Sequence, residues 1–73
     1  MHYNKYLIQA IKERRAQLNV TQEVLAEVSG VGLRTLKQFE SGKGNPTLET
    51  LQKIGFALGM ELHFSIKKLD SKS

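Results

Sequence analysis

Arg34, Thr35, Lys37 and Gln38 fall within five consecutive residues. Together they offer one kind of chemistry: directional hydrogen bonding backed by positive charge. An arginine guanidinium presents two N–H groups that match the acceptors on a guanine edge, and a glutamine carboxamide matches an adenine edge in the same way. Lys37 lies between them and can take a base or a phosphate. Gln22 can donate to a phosphate at the positive start of a helix. Lys43, with backbone N–H groups near Asn45, can clamp another. The competing reading of the same residues is an ordinary solvated helix face.

The charge balance leans the same way. Eleven basic side chains against seven acidic ones leave a net charge of +4, which favours a polyanionic partner without requiring one. Other chemistries find little support. There is no cysteine, and His2 and His63 lack close acidic or sulfur partners, so no metal site is expected. His63 reads as a surface histidine. No Ser-His-Asp or paired-carboxylate arrangement stands out, so neither catalysis nor a cofactor is expected. Gly42-Lys43 resembles a fragment of a phosphate-binding loop, but Gly44 follows where Ser or Thr is needed and Lys37 replaces the upstream glycine. The apolar runs are far short of the ~18 residues that span a bilayer. Met1-His2-Tyr3-Asn4-Lys5 lacks the apolar stretch of a signal peptide, so the expectation is a soluble, cytoplasmic chain with no membrane partner.

Four helices must position these groups. Leu7, Ile8, Ile11 and Leu18 define a helix over residues 4–18. Arg15 falls on the same stripe and needs an anionic partner, because an unpaired buried charge is costly. Thr21 is a suitable N-cap for a second helix with Val24, Leu25 and Val28 on its apolar face, closed by Gly30. A third helix spans residues 33–41. Leu36 and Phe39 face its core side, and Glu40 shares that side as the partner for Arg15. Gly42-Lys43-Gly44-Asn45-Pro46 is turn chemistry. Thr47 caps a fourth helix whose stripe is Leu48, Leu51, Ile54 and Leu58, with Gly59 ending it. Residues 60–67 then alternate apolar and polar, the pattern of a half-buried strand. A lone strand leaves its backbone unpaired, and the same strand of a second chain is the simplest partner. Met60, Leu62, Phe64 and Ile66 can complete the core under the fourth helix, form a dimer seam, or do both.

Two short helices joined by a tight glycine-containing turn form the DNA-binding helix-turn-helix pattern. At the residues Thr21-Gln22-Glu23-Val24-Leu25-Ala26, Ser29-Gly30-Val31, Thr35-Leu36, Phe39-Glu40-Ser41-Gly42-Lys43 and Asn45-Pro46-Thr47-Leu48-Glu49-Thr50-Leu51, the chain resembles the XRE or phage-repressor type helix-turn-helix family. The resemblance covers roughly residues 8–59. It implies an all-α, lambda-repressor-like bundle of four to five helices that dimerises on a near-palindromic operator. It implies that Gln22 touches a phosphate, that Arg34, Thr35 and Gln38 face bases, and that Arg15 pairs with Glu40. Two residues depart from the pattern. Gly32 replaces the usual capping Ser or Thr, and Leu33 replaces a polar, base-facing residue and can instead touch a thymine methyl.

The alternating C-terminal segment is similar to that of HipB-type antitoxins, in which a strand from each protomer pairs across the dimer. The expected organisation is a DNA-binding domain over residues 1–59, a dimerisation strand over 60–67 and a polar tail over 68–73. The expected partners are double-stranded DNA and a second copy of the chain. The alternative function is an antitoxin that neutralises a HipA-like toxin kinase and represses its own operon.

Overall fold

The computed structural model describes residues 5–66. Residue 4 of the expected first helix, Lys67 of the expected strand and the polar tail lie outside the described residues. Within them the fold is four helices: α1 (Lys5–Gln17), α2 (Gln22–Ser29), α3 (Leu33–Glu40) and α4 (Leu48–Ala57). α2 packs on both α3 and α4, and α1 packs on α3. The core they enclose consists of Ile11, Leu25, Val31, Leu36, Phe39, Ile54 and Leu58.

The helix boundaries follow local chemistry. Thr21 accepts a hydrogen bond from the Val24 N–H (3.1 Å), and Thr47 accepts one from the Thr50 N–H (3.1 Å), so both expected N-caps form. Gly30 ends α2 in the left-handed region (φ 77°) and donates its N–H to the Ala26 carbonyl. α3 has Gly32 at its N-cap and so no side-chain cap.

The expected apolar stripes need correction in three places. Leu18 is 42% exposed, because α1 ends at Gln17 and Asn19 turns the chain through the left-handed region (φ 56°). Val20 packs against the core instead. In α2, Val24 and Val28 are exposed while Leu25 is 1% exposed. Side chains on a helix are set about 100° apart, so Gln22, Ala26 and Ser29 share the side of Leu25 that faces the bundle, and Val24 and Val28 fall on its other side. In α4, Leu48 is exposed and the stripe is carried by Leu51, Ile54 and Leu58.

α4 closes in a way that bears on the segment after it. The Met60 N–H bonds the Gly55 carbonyl (2.8 Å) and the Gly59 N–H bonds the Phe56 carbonyl (3.1 Å), with Gly59 left-handed at φ 72°. This is the paired terminal bonding of a Schellman motif. Met60 folds back over Gly55 and packs against the core. The Arg14 Nε donates to the Leu58 carbonyl (2.9 Å), which ties α1 to the end of α4. Beyond Met60, residues 61–66 carry no regular secondary structure and are exposed. The expected alternation therefore splits: Met60 belongs to the core of the chain, while Leu62, Phe64 and Ile66 do not.

Candidate nucleic-acid interface

α3 is anchored from behind. Leu36 (0% exposed), Phe39 and Glu40 recur at helical spacing and point inward. Val31 plugs the turn between α2 and α3, and its N–H bonds the Ser29 hydroxyl at 3.2 Å. That hydroxyl in turn donates to the Ala26 carbonyl. With its inner face and entry turn held, α3 presents Arg34, Thr35, Lys37 and Gln38 to solvent, all exposed.

The expected ion pair forms. Arg15 grips Glu40 with two bonds, Nε to Oε2 at 3.0 Å and Nη2 to Oε1 at 2.8 Å. Its Nη1 donates to the Val20 carbonyl (3.0 Å), so the same guanidinium fastens the α1–α2 turn. The pair is unevenly buried: the Arg15 side chain keeps 21% exposure and the Glu40 side chain 3%. A third donor also reaches the carboxylate. The Gln22 Nε2 lies 2.9 Å from Glu40 Oε1. Periodicity does not announce this contact, because a neutral glutamine on a helix surface has no obligation to pair.

The candidate residues sort into two clefts flanking α3. Thr35, Gln38, Lys43 and Asn45 gather around one, floored by Phe39 and Pro46. The Lys43 N–H is taken by the Gln38 carbonyl (2.8 Å), which closes the C-terminus of α3, so this residue offers its ammonium rather than its amide. Lys37 lines the other cleft with Gln22, Arg15, Glu40 and Ser41. Lys12 joins them there, a cation missing from the sequence-based candidates. Its signal is its place three residues before Arg15, on the same side of α1. Arg34 stands on the outer face one helical turn before Lys37.

The order of elements, the tight turn and the outward polar face of its second helix define a motif. The helix-turn-helix family profile matches residues 11–64, more than half of the chain. The chain belongs to the helix-turn-helix family. Among its relatives is the cryptic phage CTXphi transcriptional repressor RstR of Vibrio cholerae, 43% identical in an alignment that covers 71% of this chain and 50% of the repressor. An uncharacterized HTH-type transcriptional regulator of Methanothermobacter thermautotrophicus is 43% identical over 70% of this chain and 74% of its own length. One of Archaeoglobus fulgidus is 50% identical over 60% of this chain and 62% of its own length. The chain thus spans half the length of the Vibrio repressor it matches. No solved structure is a significant match. In helix-turn-helix terms α2 and α3 are the paired helices of the motif, and α3 holds the position of its second helix. Among the described residues no helix is long and apolar enough to cross a membrane.

Proposed function

We propose that this chain is a sequence-specific DNA-binding transcriptional regulator, a repressor acting as a homodimer on a near-palindromic operator. The observation that carries the proposal is α3 itself. It belongs to a matched helix-turn-helix, it is locked from behind by Leu36, Phe39 and Glu40, and it offers Arg34, Thr35, Lys37 and Gln38 outward. Arg34 reads guanine and Gln38 reads adenine, with Thr35 between them. Gln22, Lys37, Lys43 and Asn45 contact phosphates on either side of α3, which fixes register without reading sequence. The Vibrio relative is a transcriptional repressor by name, which supports the direction of regulation.

The dimer rests on residues 60–67, of which residues 60–66 are described. Leu62, Phe64 and Ile66 are exposed in the single chain, and antiparallel pairing of two such segments across a two-fold axis satisfies both their side chains and their backbones. The two α3 helices then meet half-sites about 34 Å apart, one turn of duplex.

Selection from a random DNA library tests the reading. The expected result is one near-palindromic sequence with half-sites one turn apart, bound at roughly 10⁻⁸ to 10⁻¹¹ M and weakening steeply with salt. Enrichment of no sequence would overturn it. The same exposed Leu62, Phe64 and Ile66 also favour contact with a different chain, which keeps neutralisation of a HipA-like toxin as the second reading. Co-purification of a kinase-like protein at fixed stoichiometry decides between them.

A further inference from the structure

We propose that Glu40 is a positioning residue for DNA: it holds the Gln22 carboxamide so that one of its N–H groups is directed at a backbone phosphate. The inference rests on the DNA-binding reading above and gives the buried ion pair a part in it.

Glu40 is 5% exposed, and three N–H donors converge on its carboxylate: Arg15 Nε at 3.0 Å, Arg15 Nη2 at 2.8 Å and Gln22 Nε2 at 2.9 Å. A carboxylate only accepts, so the end of the Gln22 amide that faces it is the nitrogen. That nitrogen carries two hydrogens in a fixed plane. One is taken by Glu40, and the other points away from it. Gln22 lines a cleft open to solvent, with Lys12 and Lys37 on its walls. The second N–H thus belongs to a side chain that shares an open cleft with two lysines, where an anionic oxygen is the natural acceptor.

Arg15 makes this arrangement workable. A bare carboxylate beside the cleft would repel a phosphate, and the bidentate guanidinium neutralises it. Three of the five N–H groups of that guanidinium are bonded within the protein, to Glu40 and to the Val20 carbonyl. Gln22 shares the cleft with Lys12, Lys37 and the two remaining Arg15 N–H groups, all of them donors suited to a phosphate. A glutamine held before binding also loses less rotamer freedom on binding than a free one.

A purely structural ion pair would join α1 to α3 without affecting what Gln22 contributes to binding. A mutant cycle on the selected operator separates the two roles, with each phosphate of a half-site replaced in turn by a neutral methylphosphonate. Gln22→Ala should weaken wild-type binding about tenfold, the worth of one charge-assisted hydrogen bond. The difference between wild type and Gln22→Ala should vanish when one particular phosphate per half-site is neutralised. In the paired Arg15→Met, Glu40→Leu background, where an apolar pair replaces the ionic one at little cost to folding, Gln22→Ala should cost less than about twofold. An equal tenfold loss in both backgrounds overturns the proposal, and so does no loss in the wild type. A wild type that selects no DNA fails at the earlier step and is recognised as such. Should the paired replacement not fold, the Gln22 side-chain amide protons of the wild type decide by NMR. On adding operator, the proton facing Glu40 should keep its shift while the other moves. Equal movement of both, or of neither, overturns the proposal.

Discussion

Leu36 in α3 and Phe64 after α4 are both large apolar side chains placed where periodicity calls for burial. Leu36 is 0% exposed and Phe64 is 101% exposed. α3 finds its neighbours within the chain, since α1 and α2 both pack on it and even its buried charge is matched by Arg15 and Gln22. After the closing turn of α4, Leu62, His63 and Phe64 line a cleft beside Leu7 and Leu51, and no element among the described residues buries residues 61–66. The difference teaches that periodicity marks a residue for burial without saying which chain will bury it.

The most disruptive way to probe this contrast is Leu36→Ala. A fully enclosed leucine leaves a cavity, and the expected cost is about 3–5 kcal/mol. That is a large share of the stability of a small domain. Urea denaturation should show the midpoint falling by the same free energy at any protein concentration. Phe64→Asp should do the reverse. It should leave the helical content of the single chain intact and weaken dimerisation at least about a hundredfold, close to 3 kcal/mol, because it places an unpaired charge in the seam. Sedimentation should shift toward monomer. Unchanged dimerisation would place the seam elsewhere, with the exposed Leu48 and Phe56 of α4 as the next candidates.

The same contrast explains what is legible in the sequence. The caps at Thr21, Gly30 and Thr47 are readable because capping is settled within a few residues. The Arg15–Glu40 pair is readable because a charge on an apolar stripe must be answered, and only one acidic residue lies on a facing stripe. The exposure of Val24, Val28 and Leu48 is not readable. It depends on which side of a short helix its neighbours occupy, and helices of eight and ten residues show too few turns to define that side. Arg14 on the Leu58 carbonyl and Gln22 on Glu40 are hidden for another reason. Both are long polar side chains at home in water, and only the assembled fold supplies their partners. Among the candidate residues, the division into two clefts belongs to the same class, since it requires the turn after α3 to fold back beside Gln38.

The outer face of α3 should behave unlike either region above, because its residues touch little within the chain. Arg34→Ala should leave the urea midpoint in place. It should cost about 1–3 kcal/mol in operator binding and relax preference at one base pair. Fluorescence titrations against operators varied at each position measure both effects. Affinity and base preference both unchanged would mean that α3 does not read the groove through Arg34.

The smallest expected effect lies at the start of that helix, where inner anchoring and outer chemistry meet. Gly32 is the N-cap of α3 at φ −59° and ψ 141°, a conformation open to any residue, and its backbone carbonyl already accepts the Leu36 N–H at 3.0 Å. No side chain caps the first turn. A Cβ at Gly32 would meet only the Thr35 hydroxyl, at 3.9 Å, so there is room for a larger residue. Gly32→Ser should therefore form the cap that Thr21 and Thr47 supply to their own helices. Serine outranks glycine at this position by only a few tenths of a kcal/mol, so the gain should be of that size. A serine hydroxyl there can also donate to a phosphate, and a gain in operator affinity larger than the gain in stability would show that it does. A loss of stability would mean that the entry to α3 is held by the Ser29 and Val31 turn alone and tolerates no further restraint.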